Sequence, residues 1–136
     1  MIRPAGPDYL VDVMRLFDSA LLETDSDTVR SQLTGSRGCI LVAEDQRPVG
    51  AVAVVSDGET VEGLPWPNAV YISALAVHPQ RRGQGLGRSL LSAAAEWAAP
   101  QPLAATFDER VRPFYKACGF ETVDREGRLW GRRSVD

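Results

Sequence analysis

The sequence predicts an α/β fold: one domain over residues 1–136, an α/β sandwich around a mixed central sheet of about six to seven strands flanked by about four helices. Three observations predict it. The hydrophobic pattern switches repeatedly between the alternating period of strands and the period of helices. The length, 136 residues of which 44% are hydrophobic, suffices for one core and not for two. An apolar strand-like run ending at Val77 passes through a proline turn and the alternate glycines Gly83, Gly85 and Gly87 into an alanine-rich helical pattern.

Ile2-Arg3-Pro4 reads as a short first strand, which Pro4 restricts to an edge or an end. Asp8 offers an N-cap for a helix over 9–22, where Leu10, Val13, Met14, Phe17, Ala20 and Leu21 recur at helical spacing. Asp25-Ser26-Asp27 starts a second short helix through Val29 and Leu33, closed by Gly35 and Gly38. The runs 39–43 and 49–55 are strands, and the turn Asp45-Gln46-Arg47-Pro48 makes them a hairpin. Residues 56–68, with two glycines, two prolines and Trp66, form a loop. The run 69–77 is apolar on both faces except at Tyr71 and Ser73, which suits a central strand.

The helix after the glycines spans 85–99, with Leu86, Leu90, Ala93, Ala94 and Trp97 on one face, and Pro100 and Pro102 end it. Residues 103–107 are a strand. Residues 111–117 are a short helix with Pro113 in its first turn, stopped by Gly119. The runs 120–123 and 129–132 are the last two strands, around a turn at Glu126-Gly127.

Composition narrows the function classes. A net charge of −3 argues against nucleic acid as the partner, since that role needs a basic face. Cys39 and Cys118 lie far apart with no metal-ligand spacing, and we expect a reduced pair and no metal. No apolar run approaches the ~20 residues of a membrane helix. The opening residues carry no apolar signal-peptide core, so the expected location is cytoplasmic.

Residues 74–88, Ala-Leu-Ala-Val-His-Pro-Gln-Arg-Arg-Gly-Gln-Gly-Leu-Gly-Arg, carry the chemistry. Alternate glycines let backbone N–H groups approach an anion without intervening Cβ atoms. The free N–H groups and dipole of the following helix favour the same anion. Arg82 and Arg88 flank the loop and add charge-assisted contacts to phosphate. A Walker A loop requires lysine after its last glycine, where Arg88 stands. The dinucleotide fingerprint requires glycine at 88 or 90, which are Arg88 and Leu90. Both fail, and a pyrophosphate held by another type of loop remains, beside a bare strand-to-helix turn.

The pattern Val77-His78-Pro79-x-x-Arg82-Gly83-x-Gly85-x-Gly87 resembles the acetyl-CoA motif of the GCN5-related N-acetyltransferase (GNAT) family. Phe114-Tyr115-Lys116-Ala117-Cys118-Gly119-Phe120 is similar to that family's second motif, and Ile2-Arg3-Pro4-Ala5 to its first strand. The resemblance covers essentially the whole chain. It implies a single-domain GNAT-like fold with a splayed strand pair at the acetyl-CoA site. It further implies that the backbone of Leu75, Ala76 and Val77 binds the pantetheine arm. The Val77 N–H would donate to the thioester carbonyl. Arg82, Gly83, Gln84, Gly85, Leu86, Gly87 and Arg88 would cradle the pyrophosphate, with the Leu86 side chain in the core. Tyr115 would be the general acid that protonates the departing thiolate.

Two positions depart from the family pattern. Asp108 stands where many relatives have an asparagine that contacts the pantetheine, and a carboxylate cannot donate as an amide does. Tyr71 stands where histone-type relatives carry a glutamate base. Glu44, Glu59 and Glu62 are substitutes, as is ordered water reached through Ser73 or Tyr71. His78 reads as a polar turn residue, Cys118 as packing, and Trp66 as a residue of the core, the rim or an acceptor pocket. The acids Asp25, Asp27, Asp57, Glu59 and Glu62 read mainly as solvated charges.

The leading expectation is transfer of acetyl from acetyl-CoA to a primary amine, small molecule or peptide, by direct attack in a ternary complex. The alternatives are a protein lysine or N-terminal acetyltransferase and a non-catalytic acyl-CoA-binding module. Many relatives dimerise through C-terminal strands, and the Leu129-Trp130 strand is the candidate here.

Overall fold

A computed structural model describes residues 1–136 apart from 21, 23, 58–60, 135 and 136. It contains a seven-stranded mixed sheet in the order β1-β2-β3-β4-β5-β7-β6. In chain order the elements are β1 (Ile2–Pro4), α1 (Leu10–Ser19), α2 (Ser26–Leu33), β2 (Gly38–Asp45), β3 (Arg47–Val55), β4 (Val70–Val77), α3 (Leu86–Ala98), β5 (Leu103–Thr106), α4 (Arg112–Ala117), β6 (Glu121–Arg125) and β7 (Arg128–Arg133). All pairings are antiparallel except β4 with β5.

Strand alternation divides the core into two layers. Ile40, Val42, Ala51, Ala53, Ala74 and Ala76 face Val13, Leu16, Phe17, Val29 and Leu33 of α1 and α2. Leu41, Val52, Val54, Val70 and Ile72 face Leu90, Leu91, Ala94 and Ala95 of α3 and Tyr115 of α4. Residues alternate between the two layers along β2 and along 51–54 of β3, whereas in β4 Val70 and Ile72 lie in one layer and Ala74 and Ala76 in the other, which explains why these strands read as apolar on both sides.

The first helix is shorter than its periodicity implies. Pro7–Tyr9 form a 3-10 turn capped by the Gly6 backbone, and α1 starts at Leu10 with no side-chain cap. Asp8 lies inside that turn, past the position from which a carboxylate reaches the first free N–H groups. The helix ends at Ser19, and Leu21 lies outside the described residues. Asp25 does cap α2, accepting from the Thr28 N–H. Gly38 opens β2 and does not close α2. A Cβ there would stand 1.9 Å from the Val54 carbonyl oxygen, so only glycine fits that strand pair.

Two further expectations are corrected. Trp97 is 41% exposed, because the buried arc of α3 runs through Leu90, Leu91, Ala94, Ala95 and Ala98 and leaves Trp97 at its rim. The Leu129-Trp130 strand is not a free edge for a second copy: β7 is paired on both sides, with β5 and β6, and both residues are buried. Cys39 and Cys118 are buried free thiols. Among the described residues no helix is long and apolar enough to cross a membrane, and no group of residues is arranged to hold a metal ion.

Candidate active site

The site begins where the sheet opens. β4 and β5 pair only at Val70–Leu103 and Tyr71–Ala104, and beyond these residues they diverge. The divergence exposes one edge of β4, and a bulge decides which groups lie on it. The Val70 N–H donates to the Pro102 carbonyl on the β5 side at 2.8 Å. The His78 N–H donates to the Val49 carbonyl on the β3 side at 2.7 Å. In a regular strand, residues separated by an even number point their N–H groups the same way. The alternation is inverted between these two because Ala53 pairs with Ala74 and Val54 with Ile72, which leaves Ser73 as an extra residue. Ala76 and His78 therefore face β3, and the N–H groups of Leu75 and Val77 face the opening.

The glycine loop lies at the end of that edge. Gly83 and Gly85 have φ of 80° and 81°, in the left-handed region, and a Cβ on either would meet nothing within 4 Å. Their conformation, and not close packing, is what requires glycine here. Gly87 differs: a Cβ there would press on the Phe114 ring at 3.2 Å. Among the described residues, the N–H groups from Gly83 to Arg88 make no hydrogen bond, and the first bonded one is that of Ser89, to Gly85. Six consecutive free donors at the start of a 13-residue helix form an anion cradle. Arg82 folds back, its Nε donating to the Val77 carbonyl at 3.2 Å, so the loop is tied to the exposed edge of β4.

Two clefts meet along this line. One, of about 490 Å³, is lined by Leu75, Ala76, Val77, Arg82, Gly83, Gly85, Leu86, Gly87 and Arg88, all expected from the sequence. Gln84 is not among its lining residues. The other, of about 300 Å³, fills the opening between the strands and is lined by Tyr71, Ser73, Thr106 and Tyr115 among mostly apolar neighbours. Leu75, Val111 and Phe114 line both.

Tyr115 faces the second cleft and is otherwise enclosed by aromatic rings. It stacks on Phe107, with centroids 4.1 Å apart, and meets Phe114 and Phe120 edge-on. Burial pushes its phenol up to about 12. Burial also raises Tyr71 above the ordinary phenol value. Neither hydroxyl ionises near neutral pH, so each is a donor and not a base.

An acetyltransferase (GNAT) domain model matches residues 36–122. The chain belongs to the GNAT acetyltransferase family. It is thus an acyltransferase of a family that uses acetyl-CoA. No curated protein matches the chain. Three solved structures share the GNAT fold with it. Ribosomal-protein-alanine N-acetyltransferase from Brucella melitensis has 20% identity and a TM-score of 0.75, over 99% of both chains. The yncA acetyltransferase from Salmonella typhimurium, solved with its cofactor acetyl-CoA, has 18% identity and a TM-score of 0.74, over 100% of this chain and 94% of that one. Arabidopsis thaliana NAA60, in complex with a bisubstrate analogue, has 16% identity and a TM-score of 0.77, over 97% of this chain and 95% of that one.

The departures from the GNAT pattern have structural explanations. Asp108 caps the 3-10 turn Glu109–Val111, accepting from the Arg110 N–H at 2.9 Å, and these hydrogen bonds hold its carboxyl below the usual range. It lines neither cleft. His78 likewise caps a turn, its Nδ1 accepting from the Gln80 N–H. Glu44 is held by Arg3 and Tyr9 beside β1, far along the sheet from the opening. The Glu62 carbonyl accepts from Arg128, and Glu59 lies outside the described residues. Trp66 lies under Arg132, 5.0 Å from its ring centroid, and lines neither cleft.

Sequence reasoning missed several residues that line or support these clefts. Val111 and Phe114 carry the junction of the clefts, and Arg81 joins Arg82 and Arg88 on the cleft wall while paired with Asp45 at 2.9 Å. Gly131 seats Phe107: a Cβ there would stand 2.8 Å from that ring. These are contacts between distant segments, and no local pattern signals them.

Proposed function

We propose that this GNAT chain transfers the acetyl group of acetyl-CoA to a primary amine by direct attack in a ternary complex. The observation that carries the proposal is the continuity of six free N–H donors, Gly83 to Arg88, with the exposed Leu75 and Val77 edge of β4. The loop fits a pyrophosphate: its N–H donors are free, Gly83 and Gly85 leave open space where Cβ atoms would stand, and Arg82 and Arg88 supply positive charge. The exposed strand edge fits an amide-bearing arm, which would pair with it as an added strand does.

When bound, acetyl-CoA supplies an activated acyl group and a sulfur leaving group. The Val77 N–H is oriented into the opening, where it would donate to the carbonyl oxygen as charge develops. Tyr115 keeps its proton at neutral pH and presents it at Oη. Against a thiol of ordinary pKa near ~8.5, full transfer of that proton runs uphill by about 5 kcal/mol. Tyr115 therefore serves the departing sulfur as a hydrogen-bond donor, and completes the transfer only as charge accumulates. Tyr71 and Ser73 line the opening and form the polar route by which the amine proton leaves through water.

Two measurements test the reading. Coenzyme A at about a hundredfold excess over its Kd should stabilise the fold by about 3 kcal/mol, seen as a rise in Tm. Acetyl-CoA with a broad panel of small amines, peptide N-termini and lysine peptides should release thiol with at least one class. Binding without thiol release from any amine would favour a non-catalytic acyl-CoA-binding module. No stabilisation by coenzyme A would overturn the proposal altogether.

A further inference from the structure

Among the described residues, Gln32 of α2 is the one buried polar side chain, at 2% exposure. Burying an amide is costly unless its donors are satisfied, so its partners explain why it is there. Its Nε2 donates to the Val54 carbonyl at 3.1 Å and to Ser73 Oγ at 3.0 Å. Ser73 Oγ in turn donates to the Ala53 carbonyl at 3.3 Å. These groups are the two sides of the bulge: Ser73 is the extra residue of β4, and Ala53 and Val54 are the β3 residues between which the register shifts. The hydroxyl of the extra residue thus lies between the amide of the helix above and the Ala53 carbonyl, so Gln32 is tied to the bulge through Ser73 and to β3 through Val54.

The bulge at Ser73 inverts the alternation of β4 and so turns the N–H groups of Leu75 and Val77 toward the opening. We infer that Gln32 is a positioning residue for acyl transfer: by clamping the bulge from α2, it holds the Leu75–Val77 edge in its donor-outward register. The inference rests on the acetyl-transfer reading. Gln32 touches no substrate in this account and acts through Ser73 and the β3 carbonyls.

The test compares variants of matched stability. Gln32→Met keeps the volume and removes both donors. Val29→Ala, also buried in α2 and lining the same small cavity beside the bulge but making no hydrogen bond to it, is the control for loss of packing alone. Ser73→Ala removes one link of the clamp with little loss of volume and stands in if Gln32→Met does not fold. The readouts are Tm, coenzyme A binding, and kcat and KM for the best amine. Gln32→Met or Ser73→Ala is expected to lower kcat by about tenfold to a hundredfold, as small misplacements do. KM for the amine should stay within about threefold of wild type, a split that marks loss of transition-state contacts. Val29→Ala should keep wild-type kcat.

A second variant adds a readout that packing alone does not move. Gln32→Glu can donate only while its carboxyl is protonated. Measured relative to wild type at the same pH, its coenzyme A binding should therefore be weaker at pH 8 than at pH 5. Bulge variants that match Val29→Ala in kcat at equal Tm, or a pH-independent Gln32→Glu, would overturn the inference alone. Failure of the wild type to bind coenzyme A would instead remove the acetyl-transfer reading beneath it.

Discussion

Tyr115 is the side chain at which the packing of the core meets the proposed chemistry. Its ring stacks on Phe107 and meets Phe114 and Phe120 edge-on, and the residue lines the opening between β4 and β5. Tyr115→Phe keeps the stack and removes the donor, so Tm at pH 7 should hardly change. Activity should fall by about a hundredfold or more if the phenol assists departure of the sulfur. The same hydroxyl predicts alkaline behaviour. Its pKa, about 12 in the folded protein, exceeds the unfolded value near ~10. The folded state therefore binds this proton more tightly, and the associated stability is fully present below pH ~10. That stability, about 3 kcal/mol at most, is lost as pH rises toward about 12. Denaturant titrations at pH 8 and pH 11 should show a smaller alkaline loss in Tyr115→Phe than in wild type.

The junction between β4 and α3 separates glycines that resemble one another in sequence. Gly85 is left-handed with open space around it, whereas Gly87 is helical and pressed by Phe114. Gly85→Ala should cost about 1–2 kcal/mol of stability from backbone conformation and weaken coenzyme A binding, because its Cβ would enter the cradle. Thermal shift with and without coenzyme A separates the two effects. The cradle was legible in the sequence because its signal is local: glycines at alternate positions, two flanking arginines and a helix behind them. The opening of the sheet and the bulge were not. Ser73 sits in an apolar run whose pattern is compatible with a regular strand, and its status is set by pairing with β3 across the sheet. Gln32 reads locally as an ordinary polar residue of a short amphipathic helix, and only packing against β3 and β4 shows what it binds. Tyr115 was legible through its neighbours in sequence, but Phe107 and Gly131, which hold its ring, come from elsewhere in the chain.

On the scale of the whole molecule, an acidic chain of net charge −3 gathers Arg81, Arg82 and Arg88 at one cleft. The field at that cleft is opposite in sign to the net charge, and salt should screen it. Coenzyme A affinity should fall several-fold as the Debye length contracts from about 10 Å at 0.1 M salt to about 3 Å at 1 M. A pantetheine fragment without phosphates should show no such fall in a parallel titration. The order of strands has a different consequence. β7 lies between β5 and β6, and its Leu129 carbonyl accepts from Thr106 Oγ1 at 2.9 Å and from the Phe107 N–H at 3.3 Å. A nascent chain that has left the ribosome only as far as Val123 already possesses the whole phosphate loop and Tyr115. It still lacks the strand that pairs with β5 and the Gly131 surface on which Phe107 rests. The anion cradle can therefore form during synthesis, whereas the aromatic wall around Tyr115 is completed only by β7, so translation itself orders the assembly of the loop and of that wall.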